Sequence, residues 1–596
     1  MRRHGETGQL GLRARDADPR ALSPHPDPLP EGEGVSLCPQ HPALSTQHWI
    51  PALPTSTLLQ IVLLVGIFLL NLFPGTDPDL WWHMATGRYI VETGTIPRVD
   101  PFSYTATGRP WVAHEWLAEV VLYLTYRSGG YLALVLLAGT AITLTFGIVL
   151  RTLRLLGLKP VAASCITFWV ASMSLFGWNV RPQLFSYLLF TLYLYLLLRS
   201  RRQADRWLWL MPALMIPWAN LHAGYVMGLV LVGLFLAGEG INRWRATGRR
   251  TPLSLWERVG VRARAPSTQH PALRTQDPAS IPQDSALNTQ HSALSTQHSL
   301  RRYLTVAVAT VAATLFNPQG PAVLLYPFSY AGTQNASMKF ITEWQSPNFH
   351  YYYFFVFGIS LMALMVIPMR RPLDWALTIP LLALTAMSLQ SVRVIPFYAI
   401  GVAPVLASRL GIAVSGQHSA LSSQHSGLST RSSLGTRWNW MVLGLCLATL
   451  ASTLFLSDRT QWGPEPRTSE YPAAGVRYLR ESGLQGKLFN TFHWGGFLIW
   501  SFYPERRVFV DGRPDMYGDG FMEDYGKVQD ARPGWREVLD RYQVEVALVE
   551  KDGRVATLLA ASGEWHELFR GEIESVLVRS PRQGEDRRDG PPASGD

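Results

Sequence analysis

The sequence predicts an α-helical polytopic membrane protein with about eleven transmembrane helices and a small C-terminal extracytoplasmic α/β domain. Three observations carry this reading. Charged residues make up only 16% of the 596. Runs such as TLLQIVLLVGIFLLNLF (57–73) and YLALVLLAGTAITLTFGIVL (131–150) carry no charge at all, and roughly 20 apolar residues in a helix cross the hydrocarbon core. After residue 457 the texture changes to short alternating strand-like and helix-like words.

The expected spans are 57–73, 131–150, 161–178, 184–198, 207–219, 224–241, 303–316, 352–368, 374–390, 394–408 and 438–456. The fifth and seventh are short enough to be re-entrant. The first run begins too late for an ordinary cleaved signal peptide, so it is expected to stay as the first span. Placement of the formal charge of +10 orients the bundle. Arg151, Arg154 and Lys159 follow the second span, and Arg199, Arg201, Arg202 and Arg206 follow the fourth. Arg243, Arg245, Arg249 and Arg250 follow the sixth, and Arg370 and Arg371 the eighth. Basic residues in every second loop mark the cytoplasmic side. The N-terminus is then cytoplasmic, and 75–130 and 457–596 lie outside. Basic charge distributed in this way reads as topology, which argues against nucleic-acid binding. The three cysteines, Cys38, Cys165 and Cys446, build neither a disulfide framework nor a thiolate metal site.

The domain reading follows. Residues 1–56 are a cytoplasmic tail, 57–243 an N-terminal transmembrane module with the first outer loop at 75–130, and 303–410 a second transmembrane module. The last helix is 438–456, the α/β domain 457–580, and 581–596 a tail. Low-complexity insertions fill 244–302 and 411–437. Their ALSTQH-type unit recurs at 43–49, 285–299 and 415–430, and is too polar to build a core. It holds or adjoins seven of the fifteen histidines: His41, His48, His270, His291, His298, His418 and His425. These tracts read as passengers in cytoplasmic loops, where no packed backbone is disturbed.

Unexpected polar residues collect on the outer side. GTDPDLWWHMATGRYIVETGTIPR (75–98) supplies Asp77, Asp79 and His83, and GRPWVAHEWLAE (108–119) supplies His114 and Glu115. WNVRPQ (178–183) supplies Arg181, WANLH (218–222) Asn220 and His222, NPQGP (317–321) Asn317, and SVRVIPFY (391–398) Arg393. Lys339 and Glu343 lie in an outer loop. Ionisable groups at membrane depth are costly and face a bundle interior or a water-filled cavity. Arginine offers phosphate a planar fork of donors, and a nearby carboxylate can take a proton from a hydroxyl nucleophile. A phosphate donor with an apolar tail fits such a cavity. Trp81 and Trp82 read as membrane-interface anchors ahead of sugar-stacking platforms.

The first span, the Asp at its outer end and the IPR word about fifteen residues on resemble the GT-C glycosyltransferases, which include the protein O-mannosyltransferases and the lipid A aminoarabinose transferases. The words DPDLWWH, HEW, RPQ, WANLH and VFVDGR also resemble those of a group of uncharacterised bacterial membrane proteins. Counted back from ETGTIPR (92–98), the family's acid falls on Asp79. The resemblance implies transfer of a sugar from a polyprenyl-phosphate donor, with inversion, to an extracytoplasmic glycan, lipid or protein acceptor, with Asp79 as catalytic base. It implies a bacterial cytoplasmic (inner) membrane location and a helix along the membrane before the second span. AHEWL (113–117) stands where many relatives carry a Lys-Pro-Pro-Leu word. Asp77, His83, His114 and Glu115 are candidates for the acceptor or a metal, and Arg181, His222 and Arg393 for the phosphate. No cofactor is certain; a divalent cation is left open, since some relatives require one. Two other classes share these features: a transporter or binder of lipid-linked sugars, and a non-catalytic membrane scaffold.

In the C-terminal region, 471–486 and 534–542 read as helices and KLFNTF, RRVFVDGR (506–513) and VEVALVEK (544–551) as strands. Asp511, Arg513, Asp515 and Asp519 in VFVDGRPDMYGD (508–519) read as an ordinary turn ahead of a sugar or cation site.

Overall fold

The computed structural model describes residues 53–72, 77–202, 206–248, 300–325, 341–366, 373–409, 439–444 and 470–581. The low-complexity tracts, their histidines, Lys339 and most of the last expected span lie outside these residues. The described residues fall within one compact unit.

Helices stand on the apolar runs. They are α1 (Thr55–Leu70), α2 (Pro78–Thr93), α3 (Trp116–Leu155), α4 (Pro160–Ser174), α5 (Gln183–Arg202), α6 (Leu210–Leu221) and α7 (Tyr225–Gly248). Residues 300–313 form α8. Then come α9 (Tyr352–Val366), α10 (Trp375–Gln390) and α11 (Ile395–Arg409). Among the described residues, five helices are long and apolar enough to cross a membrane: Trp116–Leu155, Pro160–Gly177, Gln183–Arg202, Tyr225–Ala246 and Val392–Arg409. This is a polytopic membrane fold, mostly helical, with a small mixed sheet.

Local chemistry sets the elements that matter for the site. Asp77 caps α2, its side chain accepting from the Asp79 backbone N–H at 2.9 Å, with Pro78 in the first turn. Such a cap contributes about 1 kcal/mol. The helix ends at Gly94 in the left-handed conformation. The run α3 is two helices joined at Gly129 and Gly130, the latter at φ 62°. Residues 116–128 therefore form a separate piece leading into the crossing helix, as the sequence resemblance implies. Asn220 and Asn317 join three helix ends: Trp116 Nε1 donates to Asn220 Oδ1 at 2.8 Å, and Asn317 Nδ2 donates to Ala219 O at 2.8 Å.

The C-terminal region carries α12 (Ala473–Glu481), α13 (Gly495–Phe502), α14 (Asp519–Gln529), α15 (Trp535–Arg541) and α16 (Arg554–Ala561). Its strands are β1 (Lys487–Asn490), β2 (Val544–Glu550), β3 (Trp565–Arg570) and β4 (Glu574–Arg579), ordered β1-β2-β4-β3. β1 runs parallel to β2, and the other two pairs are antiparallel. The buried residues of β2 come from the apolar word VEVALVE.

This region grips the first loop. Ser103 bridges Val508 in parallel, Tyr104 N donates to Val508 O at 3.2 Å, and Val508 N donates to Phe102 O at 3.1 Å. Helix α13 packs on α2, and Arg88 of α2 donates to Tyr503 O at 3.0 Å while lying over the Trp500 ring. Here the structure corrects one expectation. Trp81 and Trp82 are buried, at 4% and 8% exposure, and Trp81 packs edge-on against Tyr471 and Phe497. They fill the seam with the C-terminal region instead of facing lipid. Aromatic pairs of this kind add about 0.5–1.5 kcal/mol each beyond area burial.

Candidate active site

The site gathers at one end of the helices. The first turn of α2 supplies Asp77 and Asp79. The short loop before α3 supplies His114 and Glu115, and the turn between α4 and α5 supplies Arg181. The C-terminus of α6 brings His222, and two further turns bring Glu343 and Arg393.

Arg181 is the hub. Its Nη2 lies 2.6 Å from Asp79 Oδ2 and its Nη1 2.7 Å from Glu343 Oε1, while Nε meets Asp77 Oδ2. The Arg181 and Asp77 side chains are buried, whereas a quarter of each of Asp79 and Glu343 stays open. Asp79 Oδ1 accepts from Trp82 Nε1 at 3.1 Å. Three carboxylates thus share one guanidinium. At an effective dielectric near 20, a pair of charges 4 Å apart is worth about 4 kcal/mol. Repulsion from Asp77 and Glu343 therefore adds to burial and offsets much of the attraction of Arg181. Burial pushes the Asp79 carboxyl up to about 6; Arg181 and the Trp82 hydrogen bond pull the other way without restoring it. A carboxylate in that range can both accept and release a proton near neutrality.

Arg393 stands differently. A third of its side chain is exposed, its Nε is 3.8 Å from Glu343 Oε2, and its guanidinium lies 5.4 Å from the Trp344 ring centre. It holds its partners more loosely than Arg181 does.

The remaining candidates form a second cluster around Glu115. His114 Nε2 is 3.3 Å from Glu115 Oε1, His222 Nε2 is 3.4 Å from the same oxygen, and His83 Nε2 is 3.6 Å from Oε2. Hydrogen bonds assign the protons. His222 Nδ1 accepts from Gly224 N at 2.8 Å, so its Nε2–H faces Glu115. His114 Nδ1 donates to Val112 O at 3.2 Å and its Nε2 faces Glu115, an arrangement that favours the positively charged ring. Burial disfavours that charge, but Glu115 outweighs it and raises the His114 pKa. Burial also pushes up on Glu115, yet His114 and His222 hold it below the usual carboxylate range. Burial lowers His83 to about 3 and His222 to about 4. His83 lies between two carboxylates, its Nδ1 3.4 Å from Glu119 Oε1. Among the described residues no set of three or more His, Cys, Asp or Glu side chains is arranged to hold a metal ion.

The sequence-derived candidates thus fall into two groups. Asp77, Asp79, Arg181 and Arg393 meet, with Glu343 added. His83, His114, Glu115 and His222 meet one turn further along α2, where the Trp82 and His83 rings are 3.7 Å apart. His222 Nε2 faces Glu115 and also feels the charges of Arg393 and Arg181. Glu343 lies in the expected outer loop, whose TEW word carries no signal of the pairing.

Asp511 and Arg513 form a buried clamp. Arg513 Nη2 donates to Asp100 Oδ1 at 2.9 Å and to Asp511 Oδ2 at 2.7 Å, Arg513 Nε donates to Asp511 Oδ1 at 2.7 Å, and Tyr517 donates to Asp511 at 2.6 Å. The guanidinium lies 4.4 Å from the Trp111 ring centre.

Solved structures resemble the chain at this point. The neighbours are GT-C membrane glycosyltransferases. The Archaeoglobus fulgidus oligosaccharyltransferase, tethered to an acceptor peptide containing the NVT sequon, is 12% identical with a TM-score of 0.48, over 83% of this chain and 68% of its own. Archaeal AglB from the same organism, with an inhibitory peptide and a dolichol-phosphate, is 11% identical with a TM-score of 0.45, over 83% and 69%. ArnT from Cupriavidus metallidurans, bound to undecaprenyl phosphate, is 14% identical with a TM-score of 0.38, over 88% and 97%. No protein-family model and no curated protein matches the chain. The chemistry rests on the side chains above.

Proposed function

We propose that the protein is an inverting membrane glycosyltransferase that moves a sugar from a polyprenyl-phosphate donor to an extracytoplasmic acceptor hydroxyl, with Asp79 as base. The observation that carries this reading is a partly open carboxylate, held by Arg181 at 2.6 Å and shifted toward neutrality by burial. The neighbours seen with dolichol-phosphate and undecaprenyl phosphate agree with a lipid-phosphate donor.

The acceptor O–H gives its proton to Asp79 as its oxygen attacks the anomeric carbon. The bond from that carbon to the phosphate oxygen breaks, and polyprenyl phosphate leaves with the electron pair. A guanidinium facing that phosphate stabilises the growing charge. Arg393 suits this part better than Arg181, whose donors are taken by three carboxylates. In this reading the shorter apolar helices complete about eleven crossings of a bacterial cytoplasmic membrane. The N-terminus is cytoplasmic, and the site and 457–580 are outside.

The test uses purified full-length protein in lipid with labelled polyprenyl-phosphate sugars, one anomer at a time. Release of polyprenyl phosphate, with a product of opposite anomeric configuration by NMR, supports the assignment. Retained configuration rules out single displacement by the acceptor.

A further inference from the structure

The C-terminal region reaches Asp79 itself. A methyl group built on Gly512 would run into Asp79 Oδ1 and stand 3.2 Å from Asp79 Cγ and 3.1 Å from Trp82 Nε1. One built on Gly496 would stand 2.5 Å from Pro78 O. Two glycines, from HWGG and VDGR, thus let the C-terminal region touch the first turn of α2. Ordinary heavy-atom contacts start near 3.5 Å, so any side chain at 512 forces something to move.

The loop is poorly placed to move. Asp511 and Arg513 on either side of Gly512 are locked to Asp100, Tyr517 and each other, and are buried at 0% and 3% exposure. The Asp79 side chain is the softer partner, being a quarter open. Gly512 does not have the positive φ seen at Gly518 or Gly534. Alanine there meets no backbone strain, and its whole effect comes from the contact.

We infer that Gly512 is a positioning residue for Asp79. The bare backbone of the 511–513 loop, fixed by the Arg513 clamp, backs the Oδ1 edge of the carboxylate. Trp82 donates to that edge and Arg181 takes Oδ2. The C-terminal region therefore builds one wall of the site and sets the direction from which Asp79 meets an acceptor. This inference rests on the proposed role of Asp79.

The experiment uses full-length protein in lipid with Gly512→Ala, Asp79→Ala, the double variant, and Gly520→Ala as control, since a methyl group there meets nothing within 4 Å. Thermal unfolding reads the contact: Gly512→Ala lowers the Tm in the wild-type background and much less in Asp79→Ala. Donor turnover reads the positioning: Gly512→Ala lowers kcat about 10- to 100-fold, the scale of a 1 Å misplacement. It leaves the donor KM within about twofold and moves the acidic limb of the pH profile. Equal Tm losses in both backgrounds would overturn the contact. An unchanged kcat and pH profile, with Asp79→Asn inactive, would overturn the positioning role alone. Turnover surviving in Asp79→Asn would instead overturn the function proposed above, with the Tm coupling still reporting the contact.

Discussion

Arg181 Nη2 and Asp79 Oδ2 lie 2.6 Å apart, although 102 residues separate them in the chain. The same guanidinium binds Asp77 and Glu343. The ion pair joins the loop helix α2 to the turn between two membrane helices, so it bears on both stability and chemistry.

Stability should depend strongly on Arg181. Its removal leaves three carboxylates in a mostly buried pocket, and breaking a buried pair costs about 3–5 kcal/mol. Arg181→Met should therefore lower the Tm clearly at pH 8. The deficit should shrink near pH 4–5, as Asp79, already shifted up to about 6, takes a proton. Arg181→Lys should recover only part, because an ammonium lacks the fork that reaches several partners. Unfolding monitored by intrinsic fluorescence across pH checks this.

Asp79 carries a cost of its own. Its folded pKa, about 6, lies above the ordinary aspartate value, so the folded state holds the proton more tightly than the unfolded chain. Stability from this group is full below about pH 4 and is lost as pH rises through 6. Asp79→Asn should accordingly be more stable than wild type at pH 8, by up to about 3 kcal/mol, with the gain vanishing below about pH 4. Paired melting curves at the two pH values test it.

Activity should follow the opposite direction. The base works only when deprotonated, so turnover should fall tenfold per pH unit below about 6 and level off above it. A rate profile measured at saturating donor, with protein integrity checked at each pH, reads this limb.

Arg393 should affect binding more than folding. Its side chain is one-third exposed and its ion pair with Glu343 is long, at 3.8 Å. Arg393→Ala should raise the donor KM roughly tenfold, the equivalent of one charge-assisted contact, with little change in Tm.

Local features of the site could be read from the chain, while its long-range assembly could not. Asp77, Pro78 and Gly94 mark α2 through ordinary cap chemistry, and Gly129–Gly130 mark the joint before the membrane-crossing part of α3. Asp79, Arg181 and Arg393 stand out because ionisable groups beside apolar runs are costly. Glu343 looked like any loop acid, because nothing local ties it to Arg181. Trp81 reads as a lipid anchor because its partners, Tyr471, Phe497 and Trp500, come some 400 residues later, as does the Arg513 guanidinium over Trp82, and no local period reports them. The glycine of VDGR reads as a turn, whereas a close approach to α2 explains Gly512 and, in HWGG, Gly496.

The most direct test of the central claim compares wild type with Asp79→Asn at pH 7.5, measuring donor affinity and donor turnover in the same lipid-reconstituted samples. The account predicts unchanged affinity and a turnover lower by about 10²–10⁴-fold, the usual loss on removing a general base. Turnover equal to wild type, or tight donor binding without turnover in either protein, would contradict it.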